Sequence, residues 1–136
     1  TFDRIFSALT YTVGGIAAIS LCVAGILIMN VMLVAVAQRT TEIGLLKALG
    51  APSSQILNLF LAEAALLSVA GSLIGLLLGL GTTMMIRHLY PAIDMVPPGW
   101  AVAAALAVAL TTGLAFGMLP ARRAAKLDPV QSLSGR

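Results

Sequence analysis

Three stretches of this chain are too long and too apolar to suit anything except a membrane crossing. Residues 11–37 hold no charge, residues 56–86 hold only Glu63, and residues 100–119 hold none. As helices rising 1.5 Å per residue they would measure about 40, 46 and 30 Å, against a hydrocarbon thickness of about 30 Å. All three therefore reach across, and the first two must tilt or project. Helices are required, because long uninterrupted apolar runs must satisfy their own backbone groups and show no strand alternation. The expected fold class is an all-α membrane protein with three transmembrane helices and a short cytoplasmic helix between the first two.

Composition narrows the function classes. Of 136 residues, 60 % are hydrophobic and 10 % charged, where a soluble domain carries roughly 25 % charged residues. Five carboxylates and eight Lys/Arg are too few to cover a water-soluble surface. That excludes a cytosolic enzyme and a disordered region. The net charge of +3 comes without any basic run, so nucleic acid is not an expected partner. The first apolar run far exceeds the 7–15 residues of a signal-peptide core. Cys22 stands alone within it, suited to packing rather than to a disulfide or zinc. His88 has no ligand partner at useful spacing, no Gly-rich phosphate loop occurs, and no nucleophile–base set exists. The chain itself is expected to have no catalytic residue, metal or cofactor.

Lys and Arg give the orientation. Arg39 and Lys47 lie in the loop 38–55, and Arg122, Arg123, Lys126 and Arg136 in the tail, whereas only Arg4 and Arg87 lie on the other side. The positive-inside rule then puts the N-terminus outside and the C-terminus inside. Residues 1–10, with Phe2, Ile5, Phe6 and Leu9 at helical spacing, read as the end of an external helix. The start at Thr1 rather than Met, within such a stretch, reads as a fragment or a processed product. Spans at 11–37, 56–87 and 100–119 are then separated by the cytoplasmic loop and by an external loop at 88–99. A basic cytoplasmic tail occupies 120–136. Pro91, Pro97 and Pro98 break helix continuity in the external loop, flanked by the interfacial aromatics Tyr90 and Trp100.

Within the spans, small residues recur at helical period. Ala64, Ser68, Gly71, Gly75, Gly79 and Thr82 line the second, Gly14, Ala18, Cys22 and Gly25 the first, and Ala109, Gly113 and Gly117 the third. Such stripes permit close helix contact in lipid, and Gly71, Gly75, Gly79, Gly113 and Gly117 are the expected packing positions. Ionisable and amide groups in the spans are few, chiefly Glu63 and Asn30, which argues against an ion or proton pathway. Glu63 sits about 10 Å along its helix from Ile56. It reads as an interfacial carboxylate in a local ion pair, with a transmission role as the alternative.

The loop carries the most information. Thr40 or Thr41 could cap a helix over 41–50, Glu42 suits its positive end, and Gly50 then Pro52 stop it. Ser53 or Ser54 could cap the next span. Ile43, Leu46 and Leu49 make an apolar edge, with Lys47 at its rim. Such a helix suits either the membrane surface or a partner protein.

The run QRTTEIGLLKALGA at 38–51 resembles the cytoplasmic loop of the FtsX-like permease family, the permeases of MacB-type ABC transporters. IMNVM at 28–32, FLAE at 60–63 and LPARRAAKLDPV at 119–130 are similar to the same family in order and spacing, so the likeness covers nearly the whole chain. It implies four spans with a large extracytoplasmic domain between the first two, of which this chain would hold spans two to four. It implies a homodimer or heterodimer of permeases in the bacterial inner membrane, with ATP and Mg bound by partner ATPase domains. A periplasmic adaptor and an outer-membrane channel extend the partner set. The loop would be a coupling helix seated in the ATPase through Glu42, Ile43, Gly44, Leu46, Lys47, Leu49 and Gly50, converting hydrolysis into motion of the external domain. A three-span scaffold with its loop lying on lipid is the competing reading.

Overall fold

A computed structural model describes residues 1–135, so Arg136 of the basic tail lies outside the described residues. Five helices follow in order: α1 (Phe2–Gln38), α2 (Thr40–Ala48), α3 (Ser53–Leu89), α4 (Gly99–Ala125) and α5 (Pro129–Ser134), and no strand occurs among the described residues. The three long helices are each apolar enough to cross a membrane, and only 11–17 % of their most apolar windows is buried within the protein. The remaining apolar surface requires lipid, since exposed Leu and Ile on this scale would not be stable in water.

Residues 2–10 are continuous with the rest of α1, behind Thr1 as its N-cap, and α1 and α3 reach 37 residues each. α4 extends past residue 119, the expected end of the third span, to Ala125 with Pro120 inside it. Pro120 removes one hydrogen bond and crowds the carbonyl four residues back, but the alanines that follow are strong helix formers. At the far end, α3 stops before a connection over residues 90–98, where Ile93 N donates to Tyr90 O at 3.0 Å. Pro98 precedes the first turn of α4 in extended geometry, φ −66° and ψ 146°, its φ held by the ring.

α4 is the central helix, packed along α3 on one side and α1 on the other, while α1 and α3 scarcely meet. Missing side chains on two faces explain this. Gly113 and Gly117 admit Ser68 and Ala64 of α3, and a Cβ at either glycine would collide with those side chains. One residue before Gly117, Phe116 turns its ring into the notch left by Gly25 of α1. Met32 Sδ of α1 also reaches the Gly117 position, so the three helices converge there.

The buried core lies at the α2 end of the bundle. Met32, Val36, Ile43, Ile56, Phe60, Ala64, Ala121 and Ala124 form it, drawn from four helices. Toward the other end no residue of the long helices is fully buried. Gly71, Gly75 and Gly79, expected to pack closely, have no neighbour within 4 Å of an added Cβ. Gly75 and Gly79 instead border an open apolar cavity of about 430 Å³ between α3 and α4. The periodic stripe is thus used in its first half, at Ala64 and Ser68, and left open within this chain in its second.

Candidate functional site

The α2 end gathers the loop, the basic residues and the core, and its geometry begins with how α2 is punctuated. Arg39 serves as the end of α1 and the start of α2, with φ −99° and ψ 14°. Thr40 does not cap α2 as the sequence suggested. Its Oγ1 donates back to Val36 O and Ala37 O of α1, both at 3.0 Å, which ties the joint to the preceding helix. α3 likewise starts without a serine cap, behind an extended Pro52.

The stop of α2 follows the expected pattern. Gly50 takes φ +98°, its N–H donates to Lys47 O and that of Ala51 to Leu46 O, each at 3.0 Å. This paired arrangement is the Schellman motif, which satisfies the last carbonyls through a left-handed residue. Gly50→Val is expected to cost roughly 1–3 kcal/mol locally, since a branched side chain is strained there. Amide exchange over residues 45–51 should accelerate at least several-fold; an unchanged rate would show that the turn tolerates the branch.

The two faces of α2 differ from the sequence assignment. Ile43 is 3 % exposed and points into the core, and Gly44 is buried, so neither belongs to an outward edge. Leu45, Leu46 and Leu49 are exposed, Leu49 at 78 %, with Glu42 exposed at the start of the same face. Positions 42, 45, 46 and 49 fall on one side of a 3.6-residue helix. Leu45 therefore replaces Ile43 in the outward ridge.

Lys47 also leaves the rim assigned to it. Its ammonium donates to Ala125 O, the last residue of α4, and to Leu127 O at 2.7 Å. These carbonyls lie at the negative end of α4, where a cation is favoured. α5 completes the assembly. Asp128 caps it, accepting from Val130 N at 2.9 Å; Pro129 occupies the first turn; Gly135 ends it with φ +69°. α5 packs on α2 with Ser132 against Gly44, where an added Cβ would come within 2.6 Å of the Ser132 Cβ. The Asp-Pro start and glycine stop were visible signals for this helix, read in the sequence only as part of a basic tail.

Arg39 and Glu63 form an ion pair, N–O 3.6 Å, with side chains 51 % and 35 % exposed. A pair so open to solvent is worth at most about 1 kcal/mol, so it orients the joint more than it stabilises it. Arg122, Arg123 and Lys126 are exposed at the end of α4. Arg122 and Lys126 border, with Lys47, Ser53 and Ser54, an open cavity of about 730 Å³.

Residues 14–129 match the family model described as FtsX-like permease C-terminal. The chain belongs to the FtsX-like permease family. Among its relatives is the pyoverdine export ATP-binding/permease protein PvdT of Pseudomonas savastanoi pv. phaseolicola, 49 % identical over 131 residues, covering 96 % of this chain and 20 % of the relative. The macrolide export ATP-binding/permease protein MacB of Marinobacter nauticus is 48 % identical over 134 residues, covering 98 % and 20 %. MacB of Agrobacterium fabrum is 42 % identical over 134 residues, covering 98 % and 21 %. The chain thus spans about a fifth of the length of these curated relatives. As a member of the FtsX-like permease family with three membrane-crossing helices, it is a multi-pass membrane protein.

Proposed function

We propose that this chain is the membrane-spanning permease segment of an ABC-type exporter and that α2 is its contact with a partner ATPase domain. The observation that carries this reading is the ridge of Leu45, Leu46 and Leu49. It is exposed on a helix whose opposite face is fixed to the bundle by Ile43, Gly44 and Lys47. An apolar ridge on a rigid helix outside the apolar spans fits the groove of a partner protein. Glu42, in the first turn of the same face, adds a charge suited to setting register. The relatives' names, ATP-binding/permease, agree with an ATPase elsewhere in the assembly, and that ATPase would hold ATP and Mg.

The distribution of Lys and Arg supports a bacterial inner-membrane orientation with α2, α5 and the tail in the cytoplasm. Pairing with a second permease copy follows the family reading, and a periplasmic adaptor and outer-membrane channel would complete an exporter of this kind. Among the described residues the spans hold little that could line a polar pathway. This favours mechanical work, in which motion of α2 is relayed along the spans to an external domain, over passage of substrate between them.

The test uses the full-length transporter. Leu46→Asp places a carboxylate in the contact, and export should fall by at least about tenfold, since about 1.4 kcal/mol suffices for that. Membrane insertion should be unaffected. Crosslinking from Leu49→Cys to the ATPase domain should weaken in the same background. Full export and full crosslinking in Leu46→Asp would make α2 a passive surface helix.

A further inference from the structure

If α2 receives the motion of an ATPase, the backbone offers it two exits. One is Arg39, a single non-helical residue leading to α1; the other is the four-residue turn 49–52 leading to α3. Neither continues a helix. α2 packs chiefly on α5, and its Lys47 ammonium reaches the carbonyls of Ala125 and Leu127 at the end of α4.

We infer that Lys47 is a positioning residue that routes the motion of α2 into α4, the central helix, rather than mainly into the two spans α2 joins. This inference rests on the docking role given to α2 above. Three features carry it. The Lys47 ammonium bridges Ala125 O and Leu127 O, across 78 and 80 residues of sequence, and holds the end of α4 and the start of its connection to α5 at once. Charge-assisted hydrogen bonds of this kind are the strong ones. Gly44 brings the α2 backbone against Ser132, with no space for even a methyl group. Ser132 in turn donates to Asp128 O at 2.7 Å, closing α5 on its own start. α2, α5 and the end of α4 therefore form one tied unit.

α4 is the helix from which both others can be moved. It meets α3 at Gly113 and Gly117 and α1 through Phe116. A displacement entering at Ala125 reaches both contacts along one continuous helix, whereas α1 and α3 meet each other only slightly, at the shared core and the Arg39–Glu63 pair near the α2 end. Thr40, which bonds back to α1, keeps the first joint aligned but makes no bridge between helices distant in sequence.

The experiment is made on the full-length transporter in lipid nanodiscs and in cells. Lys47→Met keeps the aliphatic stem and removes the ammonium; Lys47→Arg retains a charged donor. Lys47→Met should lower export per ATP hydrolysed by roughly tenfold while hydrolysis and the Leu49→Cys crosslink to the ATPase domain persist, and Lys47→Arg should recover much of the loss. Amide exchange over residues 127–134 should rise in Lys47→Met. Gly44→Ala, which forces α2 away from α5 by different means, should give the same uncoupling. Unchanged export per ATP in both variants would overturn the inference. So would a parallel loss of hydrolysis, crosslinking and export, which would place Lys47 in shaping the docking face. The two readings fail separately: absence of the Leu49→Cys crosslink in the otherwise native protein defeats docking, whereas exchange over residues 127–134 reports the clamp independently.

Discussion

Gly113→Leu is expected to force α3 and α4 apart and to give the largest stability loss of any single change in the spans. A Cβ at this position lands on the Ser68 side chain, with the Ala64 carbonyl only 3.6 Å away. Ser68 has no easy retreat: it is 5 % exposed and its Oγ donates to Ala64 O at 2.9 Å. The collision must therefore be relieved by moving whole helices. Overpacking in well-filled sites costs typically 1–3 kcal/mol and occasionally more, and a backbone seam lies at the upper end, about 3 kcal/mol. In lipid the helices have no hydrophobic drive to re-associate, so close packing is what holds them. Thermal unfolding of the purified full-length protein in detergent should show a clear drop in midpoint for Gly113→Leu. Gly75→Leu is the control, because nothing lies within 4 Å of its Cβ in this chain. A drop for Gly75→Leu as large as for Gly113→Leu would place another helix in the open cavity; no drop for Gly113→Leu would refute the seam.

Phe60→Ala is expected to loosen the α2 end as a unit. Phe60 is 1 % exposed within the cluster that joins Met32 and Val36 of α1, Ile43 of α2, Ile56 and Ala64 of α3, and Ala121 and Ala124 of α4. Truncations of this kind cost about 3–5 kcal/mol in water-soluble cores, part of it from transfer and part from the cavity left behind. Near lipid the transfer part shrinks, because the unpacked ring finds an apolar surrounding, so roughly 2–3 kcal/mol is expected. The consequence for α2 is direct: Ile43 belongs to the same cluster, on the face that holds the helix in place. Amide exchange across residues 40–48 should rise by about tenfold or more, together with a lower unfolding midpoint. Normal exchange in α2 would mean that Lys47 and α5 alone hold it, and that the core beneath is dispensable.

The sequence was legible wherever one element answers to its own residues. Three spans follow from uninterrupted apolar runs, because a backbone in lipid has no alternative to the helix. The stop at Gly50 follows from a residue that tolerates positive φ beside Pro52. Even α5 carried its own start and stop in Asp128, Pro129 and Gly135, though nothing local indicated what it would cover. Glu63 reads from its count beyond Ile56 as an interfacial carboxylate in a local pair, and its partner is Arg39 at the joint between α1 and α2.

Choices between equivalent faces required the tertiary structure. Ile43, Leu45, Leu46 and Leu49 surround much of a nine-residue helix, so periodicity alone does not say which turn inward. Gly44 decides it, because α5 approaches on the side where no Cβ intervenes, and Ile43 goes with that side into the core. Lys47 reads as a rim charge until the carbonyls of α4, 78 residues away, come within its reach. The glycine stripes show the same limit. Gly71, Gly75 and Gly79 look as fit for close packing as Gly113 and Gly117, yet only the latter meet another helix within the chain. Small residues permit approach, but whether two helices converge or part at a given level depends on side chains elsewhere, here Phe116 in the Gly25 notch and the core around Phe60. Local chemistry thus determined the elements and their ends, and contacts between residues distant in sequence decided which faces met.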